Sequence, residues 1–198
     1  GIDPIFFFFD IENTEIYTYS QRGDYIGRGR EWFYGPADGQ FALTGNSGKG
    51  LADLSFNNRN VVNFFDSTRW RGRFSAPFGQ PLKLGYYDGA TRYPFQDIDV
   101  PGLSFTGDGR GCNRSGGRFE VLDLGYDNAG LISSFDAVFA QYCENETATG
   151  TPALFGRVRY NVSPDVPDTD IPDTASVPEP SLILGIVTLG IGIFKLKP

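Results

Sequence analysis

The segment ALFGRVRYNV, residues 153–162, alternates two kinds of side chain from Gly156 to Val162. Arg157, Arg159 and Asn161 fall on one side of the alternation. The positions between them are apolar or glycine: Leu154, Gly156, Val158, Tyr160 and Val162. Because successive side chains of a strand point to opposite faces, the segment is predicted to be a β-strand with one face in a core.

Further short segments are rich in apolar or aromatic residues and are bounded by turn-forming residues. They are Phe6–Phe9, Ile16–Tyr19, Glu31–Tyr34, Phe41–Leu43, Leu54–Phe56, Val61–Phe65, Leu82–Tyr86, Leu103–Thr106, Phe119–Leu124 and Phe135–Tyr142. With 26 glycines, 13 prolines and 18 phenylalanines in 198 residues, the composition favours strands joined by turns. The sequence predicts an all-β domain over residues 1–163. It would be an antiparallel, jelly-roll-like β-sandwich or a barrel of about 9–11 short strands.

The charge and the residue inventory argue against several function classes. The chain contains no histidine, which removes Ser-His-Asp and Cys-His catalysis and His-ligated metal sites. Its formal net charge is -7 and we identify no basic stripe, so we expect no nucleic-acid partner. Asp97 and Asp99 lack the pattern of a calcium loop. We expect no enzyme activity, no catalytic residues, no metal and no cofactor.

The two cysteines, Cys112 and Cys143, have their sequence midpoint within the turn-forming segment YDNAG, residues 126–130. In an antiparallel hairpin without net bulges they would face each other, close enough to form a disulfide. Two unpaired buried thiols are the alternative, and a bulge at Gly116 and Gly117 would shift the register. A disulfide requires an oxidising compartment, which agrees with export.

The carboxy-terminal part has a different composition. Residues 164–180 hold many prolines and acids without apolar periodicity, which predicts an extended, solvated linker. Residues 181–198 contain an uncharged, mostly apolar run from Leu182 to Phe194, which Lys195 and Lys197 follow. As one helix they would cover about 27 Å, so the segment could span a membrane with its lysines among the headgroups. A buried core helix or a final strand is the alternative.

This order of features resembles the PEP-CTERM sorting signal of Gram-negative bacteria. The resemblance is carried by the apolar run, by the basic end and by Val177, Pro178, Glu179 and Pro180. It implies recognition by an exosortase-type membrane protease, transient anchoring in the inner membrane, and a final place at the cell surface or outside the cell. It also implies an association with exopolysaccharide and biofilm. The apolar run is shorter than in the common pattern, and two lysines replace an arginine-rich cluster.

Four blocks of the globular part resemble exported bacterial proteins of unassigned function. They are GDYIGRG at residues 23–29, GDGRGCN at 107–113, QYCE at 141–144 and PALFG at 152–156. This resemblance implies a secreted domain with its two cysteines paired, and it implies no activity.

We interpret the chain as an exported cell-surface or matrix protein with a non-enzymatic binding or structural role, its partner being extracellular polysaccharide or copies of the chain itself. Trp32–Tyr34 or Trp70 are candidates for stacking on sugar rings, with core packing as the alternative. A second interpretation is a filament subunit that exchanges a strand with copies of itself, with Phe6–Phe9 as the donor. A third is a secreted glycan-active enzyme, since two carboxylates suffice for glycoside hydrolysis. Its candidate carboxylates are Glu31, Glu120, Glu144 and Glu146.

Overall fold

The computed structural model describes residues 13–58, 69–145 and 152–164. This part of the chain contains ten β-strands and no helix, hence no helical segment able to cross a membrane. The strands are β1 (Asn13–Ser20), β2 (Glu31–Tyr34), β3 (Gly39–Asn46), β4 (Lys49–Asn58), β5 (Arg69–Ser75), β6 (Gly85–Arg92), β7 (Gly102–Gly107), β8 (Ser115–Tyr126), β9 (Ile132–Cys143) and β10 (Ala153–Val162).

All ten strands belong to one sheet, in the order β2-β1-β10-β9-β8-β6-β7-β5-β4-β3. Neighbours are antiparallel except β6 and β7, which run parallel over a short stretch. The two end strands, β2 and β3, are joined by the short connection 35–38, and the sheet curls into a nearly closed barrel. The all-β prediction is confirmed, and the single continuous sheet agrees with a barrel rather than with two packed sheets.

Several strand predictions differ in detail from the structure. Strands β8 and β9 have 12 residues each, longer than the short strands expected. Strand β5 was not predicted at all. The predicted strands at Phe6–Phe9 and Val61–Phe65 lie outside the described residues. So do the linker beyond Pro164 and the predicted carboxy-terminal helix.

Aromatic rings fill the interior of the barrel. Trp70 is 1% exposed, and its ring centroid lies 5.6 Å from that of Trp32 and 5.7 Å from that of Phe105. Other fully buried rings are Phe56, Phe74, Phe119, Phe135 and Phe139. Burying one such side chain stabilises the fold by roughly 1.5–3 kcal/mol. Because a one-residue slip would turn these rings outward, the core also fixes which side chains face the outside of the barrel.

Strands β9 and β10 are buried on both faces. Inward-facing residues such as Phe139 and Val158 belong to the main core. The outward-facing residues of the same strands form a second apolar cluster: Ala140, Tyr142, Ala153 and Phe155. This outer face is therefore a second layer of packing.

A buried ion-pair cluster adjoins the second apolar layer. Arg157 donates two hydrogen bonds to the carboxylate of Asp136, at 3.0 and 2.7 Å. Arg159 lies 3.7 Å from the same carboxylate and donates to Glu15 at 3.1 Å. The two arginines thus face two carboxylates, and the charges on this part of the outer face balance.

Candidate functional site

The predicted disulfide is present. Cys112 and Cys143 are bonded, with their Cα atoms 5.1 Å apart. The hairpin argument was wrong in its register, since Cys143 lies opposite Ser115 and Cys112 precedes the strand. The register shifts lie between Val121 and Asp123 and next to Tyr126, whereas Gly116 and Gly117 pair without a bulge.

A buried amide lies beside the disulfide. The Gln141 side chain accepts a hydrogen bond from Phe105 N at 2.6 Å and donates to Phe105 O at 2.8 Å. It also donates to the Cys112 sulfur at 3.4 Å. Strand β6 ends at Arg92 and does not extend alongside Phe105 of β7. The Gln141 amide therefore makes the two backbone hydrogen bonds that a neighbouring strand would make with Phe105.

The four sequence blocks that resemble exported proteins meet at this end of the barrel. Arg110 donates twice to Ile26 O, at 3.0 and 2.9 Å, and so ties the second block to the first. The third block reaches the second because Glu144 accepts a hydrogen bond from Asn113 N at 2.8 Å. Ile26 is fully buried in the main core. These contacts close the barrel end, so we assign the blocks to structure rather than to ligand binding.

Asp24 is the buried carboxylate of the first block. Its Oδ2 accepts a hydrogen bond from Gly27 N at 2.6 Å, whereas Oδ1 has no partner within the described ranges. Burial raises the pKa of Asp24, and the backbone N–H groups of the turn oppose that rise. The carboxylate caps a turn of the first block.

The outer face of β5 carries a row of cations. Arg69, Arg71 and Arg73 alternate with the inward-facing Trp70 and Gly72, so all three arginines point outward. We call these three residues the arginine ladder. Positions two apart in a strand are about 6.6 Å apart, which places the guanidinium groups in one row.

The ladder meets one carboxylate on the neighbouring strand β4. Asp53 lies opposite Arg73 in the register but pairs diagonally with Arg71, whose Nε donates at 2.7 Å. Arg73 has no carboxylate within 4 Å among the described residues, and its Nε is buried without a hydrogen-bond partner there. Burial, with the charges of Arg71 and Arg92, lowers the pKa of Arg73. The Arg73 cation is therefore incompletely compensated.

The loop between β6 and β7, residues 93–101, covers part of this face. The Tyr93 ring centroid lies 5.6 Å from Cζ of Arg73, and Phe95 lies 4.8 Å from Cζ of Arg92. Phe95 is 72% exposed. Arginine and aromatic side chains are both enriched where proteins bind partners. We call Arg71, Arg73, Arg92, Tyr93 and Phe95 together the arginine–aromatic surface.

A groove of about 190 Å³ adjoins this surface, and Tyr93 belongs to both. Lys49 and Phe78 also line it. Pockets for drug-sized ligands enclose about 300–1,000 Å³, so this groove could accommodate only a smaller group. Its size suits one unit of a longer molecule that continues across the surface.

Three of the four aromatic residues proposed for sugar stacking, Trp32, Tyr34 and Trp70, are brought together in the core and not on an exposed face. Trp32 and Tyr34 point inward, where the Tyr34 ring centroid lies 4.6 Å from that of Phe56, and Trp70 is buried. Phe33 points outward from β2 and is 60% exposed. Core packing therefore accounts for all but Phe33.

The other candidate residues are scattered or fall outside the described ranges. Glu31 and Glu120 lie on β2 and β8, with three strands between them, and Glu144 holds Asn113. Within residues 13–58, 69–145 and 152–164, no three Cys, Asp or Glu side chains could hold a metal ion together. Outside those ranges lie Glu146, the motif Val177, Pro178, Glu179 and Pro180, and the basic end at Lys195 and Lys197.

Comparisons with known proteins give no relative. No family model matches the chain, and neither a curated protein nor a solved structure matches it. The function must therefore be argued from the surface itself.

Sequence reasoning missed the arginine ladder. The available signal was the alternation RWRGR at residues 69–73, in which every second residue is arginine. The absence of a basic stripe inferred from the sequence needs correction at this point, because β5 places the three arginine side chains on one face.

Proposed function

We propose that this chain is an exported, non-enzymatic protein that binds extracellular polysaccharide through the arginine–aromatic surface. One observation carries the proposal: the exposed ring of Phe95, the half-buried ring of Tyr93 and the incompletely compensated guanidinium of Arg73 lie close together on the outside of a barrel whose interior is filled. A filled interior offers no enclosed chamber, whereas an open outer wall suits a long polymer. Ring faces stack on sugars, and guanidinium groups donate to hydroxyl and acidic groups.

The cellular setting of the proposal comes from the chain's carboxy-terminal end and from its cysteines. The resemblance of residues 177–198 to a PEP-CTERM signal supports handling by an exosortase-type protease and delivery to the cell surface or beyond. The Cys112–Cys143 disulfide suits an oxidising compartment. Polysaccharide is the polymer that a surface or matrix protein of this kind would meet.

A glycan array probed with the purified full chain tests the role. We expect binding to bacterial surface polysaccharides, and we expect Phe95→Ala to weaken it about tenfold because an exposed stacking ring is lost. Phe33→Ala is the matched control, since Phe33 is similarly exposed on β2. The role is wrong if no polysaccharide binds, or if the two alanine variants lose binding equally.

A second candidate function is strand exchange between copies of the chain. The observation in its favour is the seam of the barrel, where β2 and β3 are the two end strands of the sheet that the described residues form. Unpaired strand edges accept an added strand, and the apolar segment Phe6–Phe9 is the proposed donor. Electron microscopy decides it: filaments from the full chain that vanish when residues 1–10 are deleted support exchange, and monomers in both preparations exclude it.

A further inference from the structure

We propose that Arg73 and Gln96 form a subsite for the carboxylate of an acidic sugar, so that the bound polymer is a polyuronate. The inference rests on the proposed polysaccharide role and names the class of ligand for the same surface. Three features support it: unsatisfied polar atoms, a local excess of positive charge, and an adjacent ring.

The unsatisfied atoms lie on the outer face of β5 and β7. Gln96 is 6% exposed, and neither its Oε1 nor its Nε2 has a hydrogen-bond partner among the described residues. Its amide lies against Gly102, where an added Cβ would come within 2.6 Å of Nε2. A buried donor or acceptor that makes no hydrogen bond lowers the stability of the fold, so such atoms in a native protein call for an explanation.

The strand register places this amide next to Arg73. Gly102 lies opposite Ser75, and Ser104 lies opposite Arg73, on the same outer face. Gly102 and Arg73 are thus diagonal neighbours across two paired strands, a separation of about 7–8 Å. A small anionic group could contact the exposed edge of the Arg73 guanidinium, and it would reach the Gln96 amide once that side chain turned outward, since both amide atoms are closed to solvent in this structure.

The charge around the subsite calls for an anion. Arg71, Arg73 and Arg92 contribute three positive charges and Asp53 one negative charge, and the charges of Arg71, Arg92 and Asp53 all act on Arg73. Asp53 is already bound to Arg71. The excess is confined to these four groups, since the chain as a whole is acidic and the β6–β7 loop carries the exposed acids Asp97 and Asp99. A carboxylate suits it because a guanidinium presents two parallel N–H donors to a carboxylate.

The remaining atoms favour a sugar acid over an isolated carboxylate. The Gln96 amide offers both a donor and an acceptor, so it matches a carboxylate with a hydroxyl group nearby. Tyr93 places an aromatic face beside Arg73. A hexuronate unit carries a carboxylate, several hydroxyl groups and a ring face, which are the three chemical groups that this subsite can recognise.

Isothermal titration calorimetry with polygalacturonate tests the subsite. Arg73→Gln in the full chain should bind about tenfold more weakly, and Arg73→Lys should lie between the two because it keeps the charge without the planar fork. Arg114→Gln is the matched control, since Arg114 is exposed outside the surface, and it should bind within about twofold of the parent chain. Neutralising Arg73 removes like-charge repulsion, so the thermal midpoint of Arg73→Gln should not fall.

Each other result has a defined meaning. Equal binding of polygalacturonate by the parent chain and Arg73→Gln overturns the subsite, and if neutral dextran also binds both equally, the polysaccharide role survives. Tighter Arg73-dependent binding of dextran sulfate makes the ligand a sulfate ester and overturns the carboxylate assignment. Tighter binding of single-stranded DNA overturns the assignment to polysaccharide. If no polymer binds, the polysaccharide role is wrong. In that case the NMR resonance of Arg73 Nε–H is followed while galacturonate is added: a shift would support the subsite, and no shift would overturn it.

Discussion

Two arginine-bearing strands of this barrel have similar sequences and different environments. In β10, Arg157 and Arg159 point outward and are almost fully buried, facing the carboxylates of Asp136 and Glu15. In β5, the arginine ladder also points outward, but the Arg71 side chain is 52% exposed and the neighbouring strand supplies one carboxylate. The first set is balanced within the fold, whereas Arg73 of the second set has no carboxylate within 4 Å among the described residues.

The comparison shows that alternating arginines in a sequence identify one face of a strand. They do not show whether that face packs inside the protein or is available to a ligand. A buried arginine needs a partner inside the fold because the desolvation of its charge is otherwise uncompensated. A partly exposed arginine is compensated by water and can exchange that water for a ligand. Burial and carboxylate partners, rather than the arginine pattern, therefore separate the structural set from the binding set.

The largest expected difference between the two sets comes from removing one carboxylate in each. Asp136→Ala removes a fully buried acid that Arg157 contacts at 2.7 Å, and it should lower the free energy of unfolding by about 3–5 kcal/mol. Asp53→Ala removes the acid of a pair whose arginine is half exposed and should cost less than about 1 kcal/mol. Urea denaturation of both variants measures the contrast, and similar losses in the two would break it.

The same pair of variants should differ in binding. Asp53→Ala leaves Arg71 without its carboxylate and raises the local positive charge, so polygalacturonate should bind more tightly than to the parent chain. Asp136→Ala should leave binding unchanged under conditions where the variant is folded. Weaker binding by Asp53→Ala would mean that the Asp53–Arg71 pair positions the surface instead of neutralising it.

Salt concentration should affect ligand binding by the β5 arginines more than it affects the stability provided by the β10 arginines. Raising NaCl from about 50 to about 200 mM should weaken polygalacturonate binding roughly tenfold, because exposed guanidinium groups and polyanions both lose attraction as ions screen them. The free energy of unfolding should change by less than about 0.5 kcal/mol over this range, since the Asp136–Arg157 pair is shielded from solvent. If the affinity for polygalacturonate does not change with NaCl concentration, the aromatic rings and not the arginines supply the binding energy.

The sequence predicted the fold class and the disulfide but not the strand that carries the surface. The inward positions of β5 include Gly72 between Trp70 and Phe74, and three arginines fill the outward positions. Apolar periodicity is therefore weak, and the segment did not stand out as a strand. The exposure of its arginines depends on which distant segments cover each outer face, and that information is absent from local patterns. The disulfide was predicted because its two cysteines flank one turn in the sequence, although the register places Cys143 opposite Ser115 and leaves Cys112 before the strand.

A smaller change in stability should show whether the Gln96 amide serves ligand binding or packing of the fold. Gln96→Leu replaces a buried amide whose atoms lack partners in the described part of the chain, so it should raise the free energy of unfolding by about 1 kcal/mol. The same variant should weaken polygalacturonate binding. Gln40→Leu, an exposed position on β3, is the control and should change stability by less than about 0.5 kcal/mol. Destabilisation by Gln96→Leu would mean that the amide supports the fold and would remove it from the subsite.

The smallest effect concerns Asp24, a buried carboxylate that, unlike Asp136, is held by backbone N–H groups and not by an arginine. Burial raises its pKa above the ordinary 3.8, so the folded state holds the proton more tightly than the unfolded state. The free energy of unfolding should therefore fall as pH rises from about 3.8 through the raised pKa. Asp24→Asn keeps an oxygen to accept from Gly27 N and should remove that fall, making the variant more stable than the parent at pH 7 by under about 1 kcal/mol. Urea denaturation across this pH range measures it; if Asp24→Asn is instead the less stable protein at pH 7, the backbone stabilises the charged carboxylate as strongly as the arginines stabilise Asp136.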